Sequence, residues 1–223
     1  MVNSYQKNVR GSGGRLRAAA IVFVACACGW FIMELEILGI RSLAPYFGSA
    51  VYVVMGSVIG VFLLSLAAGY MIGGWLSKKT RSQMLVGVNL IAAGVWIFGL
   101  PFFIEPVCEE IFRLGLDERW GSLIASFILF TVPTLLFGTV SPAVVRWLTT
   151  RASEAGFNAG LVFSLSTVAS FAGSVITAFY LVLLSTRKTM FVSGIVLAVL
   201  GATVLIQAMV PGKYIHRVEV SAE

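Results

Sequence analysis

Six long apolar runs separated by short polar connectors leave this chain little choice of fold. The runs cover roughly residues 18–40, 50–76, 84–104, 121–148, 157–184 and 190–210. A helix that crosses a bilayer needs about 20 predominantly apolar residues, and each run supplies them. Lipid offers the backbone no hydrogen-bond partner, so an apolar segment of that length must bond internally as a helix. Only 12% of the residues are charged, about half the proportion of a soluble domain. The expected fold is an all-α integral membrane protein of about six transmembrane helices. It divides into a basic cytoplasmic leader (1–17), a polytopic membrane domain (18–210) and a short cytoplasmic tail (211–223). No soluble domain fits in the connectors.

Lysine and arginine set the orientation. With the N-terminus inside, the cytoplasmic segments hold eleven of them and the outer segments five: Arg41, Arg113, Arg119, Arg187 and Lys188. Both termini are therefore expected in the cytoplasm, in a cell or inner membrane. The pair Arg187–Lys188 sits awkwardly in a predicted outer loop. The net charge of +6 is scattered in short clusters. A nucleic-acid footprint must be contiguous, so that function class is excluded. The run after the leader is too long for the apolar core of a signal peptide and is read as a retained helix.

Catalytic constellations are missing. The single histidine, His216, stands in the tail, and Cys26 and Cys28 point about 200° apart on a helix, so they do not chelate a metal. The leader's "GSGGR" precedes a membrane helix instead of following a strand, so it is no nucleotide loop. Neither an enzyme activity nor a cofactor or metal is expected.

Polar residues inside the apolar runs are site candidates by default: Glu34, Glu36, Arg41, Ser141, Arg146, Ser166 and Thr167. Glu34 and Glu36, two apart, face nearly opposite sides of a helix, and Glu36 and Arg41 diverge by about 140°. Glu36 and Arg41 are expected to fix how helix one locks against its neighbours, and to gate. Glu34 is expected to reach solvent or a partner, and Pro45 to end or bend the helix. In "PTLLFGTVSPAVVRW" (133–147) two prolines and a glycine predict a broken fourth helix, a common way to form a membrane binding site. The connector 105–120 carries Glu105, Glu109, Glu110, Asp117 and Glu118, as an ordinary outer loop or an anionic mouth, with a short interfacial helix.

Small residues at four-residue spacing allow close helix packing. Helix two has Gly56 and Gly60, then Gly69 and Gly73; helix five has Ser166, Ser170 and Ser174, with Gly173 in the neighbouring row. These two helices are expected to be central and helices three and six more lipid-exposed. "LSKKTRSQMLVGVNLIAAG" after helix two is similar to "LSTRKTMFVSGIVLAVLGA" after helix five. The pair hints at a three-plus-three inverted repeat like half of a major-facilitator fold.

Three ordered segments resemble the membrane domain of fused major-facilitator/spermidine-synthase-like proteins. The first comprises Glu36, Gly39, Arg41, Leu43, Ala44, Pro45, Tyr46, Phe47, Gly48 and Ser49, followed by Gly60, Gly69, Tyr70, Gly73 and Gly74. The second and third are "PTLLFGTVSPAVVRWL", where Phe137 replaces the usual leucine, and "LVFSLSTVASFAGSVITAFYL". Glu34 lies outside the first pattern. The family continues into a cytoplasmic aminopropyl-transferring domain about where this sequence reaches Glu223. The resemblance thus implies a non-catalytic membrane subunit or anchor, on which a separate synthase-like chain, another membrane protein or a second copy would assemble. The alternative is a half-size, homodimeric transporter or binding protein for a polyamine-like cation.

Overall fold

The computed structural model describes residues 12–48, 51–149, 153 and 155–209. The tail, Ser49, His216 and most of the leader lie outside the described residues. Six helices follow one another: α1 (Ser12–Phe47), α2 (Val51–Lys79), α3 (Ser82–Arg113), α4 (Glu118–Leu148), α5 (Ala155–Phe179) and α6 (Thr186–Met209). A 3-10 turn, Leu181–Leu183, precedes α6. Among the described residues there is no strand, and all six helices are long and apolar enough to cross a membrane. The chain is a polytopic helical membrane protein.

Helix ends depart from the apolar runs where a helix outlasts the hydrocarbon. At 1.5 Å per residue, the 32 residues of α3 extend about 48 Å, well beyond a core of about 30 Å. Its last turns absorb Glu105, Glu109 and Glu110, so the expected separate interfacial helix is a continuation of α3. The turn to α4 is tight: the Gly115 amide donates to the Phe112 carbonyl at 3.1 Å, with Gly115 at φ 65°. Pro45 lies inside the final turn of α1, which continues to Phe47.

The fourth helix is not broken. α4 is helical from Glu118 to Leu148 with Pro133 and Pro142 inside it. A proline removes the amide that would bond the carbonyl four residues earlier. For Pro133 that carbonyl belongs to Leu129, and the Trp96 indole N–H of α3 donates to it at 2.9 Å. One freed group is thus satisfied from a neighbouring helix, and the backbone has no need to unwind there.

The centre of the bundle is α4 with α3, which corrects the expectation for α2 and α5. Buried residues make up 56% of the most apolar stretch of α4 and 50% of that of α3, but 11% of that of α5. The small-residue rows explain the difference, because each serves one face only. Gly69 and Gly73 of α2 abut Gly138 and Thr139 of α4. Ser166 and Ser170 of α5 abut Gly29 of α1, where an added methyl would lie 2.7 Å from either hydroxyl oxygen; Gly173 abuts Trp30. Methyl groups on Gly56 and Gly60 would meet no atom of another helix within 4 Å among the described residues, and Ser174 is half-buried.

α3 and α6 carry a glycine row of their own. Methyl groups on Gly94 and on Gly194 would each meet the other's carbonyl at 2.7 Å, and Gly87 and Gly201 approach reciprocally at 3.1 and 2.8 Å. The helices are therefore antiparallel. Equivalent glycines stand at a common offset of 107 residues (87 to 194, 94 to 201). If residue i meets j, the counterpart of j meets the counterpart of i, as in an isologous contact. α2 packs chiefly on α4 as α5 packs on α1, but α3 lies along α4 while α1 and α6 barely touch. A groove opens where that last contact would be.

Candidate functional site

That groove is built on Glu34. α1 buries one of its two glutamates and leaves the other at the edge, as the 200° between them requires. Glu34 is 3% exposed, whereas Glu36 is half-buried and Arg41 exposed. Trp30, one turn earlier on the same face, donates its indole N–H to Glu34 Oε2 at 2.9 Å. The Ser193 hydroxyl of α6 donates to Glu34 Oε1. Each carboxyl oxygen therefore has one donor, and the inward wall is apolar, with Leu35 and Leu38 buried beside it.

The groove holds about 420 Å³ between α1, the 3-10 turn and the first turns of α6, with Phe31, Leu181, Leu184, Val192 and Val196 as its apolar lining. A narrow cleft reaching Leu38, Ile97 and Met190 continues behind Glu34 and Ser193. Ser193 lies seven residues inside the start of α6, about 10 Å below it. The carboxyl group is thus set well in from that helix end.

The basic pair that sat awkwardly in a loop is divided by the fold. Arg187 turns toward α3, its guanidinium 5.2 Å from the Phe102 ring centre and 5.7 Å from that of Phe191. Phe191 also packs on Phe98 at 4.9 Å, so the guanidinium rests on an aromatic pad. Lys188 lies on the other side, at the rim of the Glu34 groove. Among the described residues the ion pairs are Arg113–Glu110 and Arg119–Asp117, both exposed, and Glu34 forms none. A buried carboxylate without a counter-cation is costly, and either a proton or a positive occupant in the groove would relieve that cost.

The other candidates do not join it. Glu36 and Arg41 form no ion pair among the described residues. Arg146 is exposed beside a separate groove of about 610 Å³, with Gly74, Ser77, Thr149 and Phe163. Ser141 is half-buried on the same helix. Ser166 donates to the Ala25 carbonyl at 3.1 Å and so ties α5 to α1, while exposed Thr167 donates to its own helix at Phe163. Glu34, expected to reach solvent or a partner, does not reach solvent and is the most enclosed of the charged candidates. Burial follows the packing: Glu34 lies on α1 beside the buried Leu35 and Leu38, and Ser193 reaches it from α6 across the groove.

Sequence reasoning missed Trp30, Ser193 and Lys188. Trp30 was detectable, since residues four apart share a helix face. Ser193, 159 residues from Glu34, carries no local signal. A second polar seam joins α3 to α4, where Asn89 donates to the Thr139 hydroxyl, which donates to the Leu136 carbonyl at 2.6 Å. Among the described residues no group of three His, Cys, Asp or Glu side chains could hold a metal. No protein-family model, curated protein or solved structure matches the chain.

Proposed function

We propose that the chain is a membrane-embedded binding protein for an organic cation, a half-size transporter that works as a homodimer. One observation carries this reading: Glu34 is buried, has one donor per oxygen and no cation, and lines an open groove. An intramembrane carboxyl group in such a setting is a ligand-site hypothesis by default. The reciprocal glycine contacts of α3 and α6 support an inverted repeat, the architecture in which transporters place a site between repeats. The eleven-to-five distribution of basic residues supports cytoplasmic termini and an outward-facing groove.

The bare surface of α5 favours a second reading, as a subunit or anchor for another protein. On the motif resemblance that partner would be a synthase-like chain, and this chain would itself be non-catalytic. The first reading is tested in nanodiscs with methylammonium, hexylammonium and spermidine. Saturable binding of at least one cation, lost at least tenfold in Glu34→Gln, is expected. Absence of saturable binding by all three would leave only the subunit reading.

A further inference from the structure

We infer that the Glu34 groove selects a primary ammonium ion carrying a single charge and an apolar body, and discriminates against polyamines. The inference rests on the cation reading above and narrows it.

Deprotonated on binding a cation, Glu34 supplies one negative charge to the groove. An ionised carboxylate has about four acceptor positions, and Trp30 and Ser193 occupy one on each oxygen. The two positions left over can accept two of the three N–H donors of a primary ammonium, whereas a quaternary ion has none to offer. Beyond the carboxyl group the walls are Phe31, Val192, Val196 and the leucines of the 3-10 turn. A hydrocarbon body that displaces water from these walls gains about 0.8 kcal/mol per methylene.

A second ammonium has no partner there. Glu36 projects from the opposite side of α1. The acidic residues at the end of α3 are exposed and do not line the groove. The ionisable side chain at the rim is Lys188, which repels a further cation. The remaining polar side chains of the lining are neutral hydroxyls, that of Ser185 and that of Thr189, which donates to the Ser185 carbonyl at 3.2 Å. A polyamine would therefore bury one charge against apolar carbon or bring it to a lysine.

Equilibrium binding to the purified chain in nanodiscs, corrected with empty nanodiscs, tests this with propylamine, butylamine, hexylamine, hexanol and spermidine. The expected result is a saturable affinity that rises about fourfold per methylene from propylamine to hexylamine. Hexanol should bind at least tenfold more weakly than hexylamine, and spermidine likewise. Lys188→Gln, an exposed position whose substitution leaves the bundle packed, should strengthen spermidine more than hexylamine. Spermidine binding as tightly as hexylamine overturns the inference and leaves the cation reading standing. Hexanol equalling hexylamine overturns the inference by showing that the groove recognises hydrocarbon alone. A failure of every amine to bind saturably overturns the cation reading with it.

Discussion

Replacing Gly194 by alanine should loosen the bundle, whereas the same replacement at Gly56 should not. The new methyl on Gly194 would stand 2.7 Å from the Gly94 carbonyl oxygen and 2.8 Å from the Phe98 amide nitrogen. Both are backbone atoms and cannot rotate aside, so α3 and α6 must separate by several tenths of an ångström or more. Overpacking of this kind costs about 1–3 kcal/mol. Alanine returns up to about 1 kcal/mol in helix propensity, and less in a bilayer, where the helix is already enforced. The expected net loss is about 1–2 kcal/mol. Gly56 meets nothing within 4 Å, so its alanine variant should lie within about 0.5 kcal/mol of the parent. Gly94→Ala combined with Gly194→Ala should cost less than the sum, because the first methyl has already parted the helices. Reversible unfolding in mixed micelles reads all four variants. Equal stability of Gly194→Ala and Gly56→Ala would refute the α3–α6 contact.

Trp96→Phe removes the donor to the Leu129 carbonyl and should cost about 1–3 kcal/mol in the same assay. Adding Pro133→Ala restores a backbone amide and should recover part of that loss; no recovery would dissociate Trp96 from the proline. Arg41→Gln, at an exposed position without an ion pair among the described residues, should change stability by less than about 0.5 kcal/mol. A larger loss would reinstate Arg41 as a helix lock. Arg187→Gln should cost about 0.5–1 kcal/mol for the contacts with Phe102 and Phe191, and no loss would deny them any energetic weight.

The membrane spans were legible because apolar length is a one-dimensional property. Their ends were not, since α1 and α3 continue past the apolar run on local backbone bonding alone. Helical geometry separated Glu34 from Glu36 correctly, but which of them is buried depends on how helices distant in sequence pack around α1. The two glycine pairs of α2 illustrate the same limit. Gly56–Gly60 and Gly69–Gly73 have identical spacing, yet among the described residues only the second pair meets another helix. The prolines of α4 misled for a related reason. A freed carbonyl breaks a membrane helix only if nothing else can bond it, and Trp96 on another helix bonds the one left by Pro133.

The proposed cation site depends on Glu34. Calorimetric titration of hexylamine into the parent chain and the Glu34→Gln variant, side by side in nanodiscs, tests this most directly. The variant keeps the shape of the side chain and an acceptor for Trp30 or Ser193 while removing the charge. One saturable site is expected in the parent and at least a tenfold weaker one in the variant, with both chains equally stable to heating. Equal affinity in two folded proteins would contradict it.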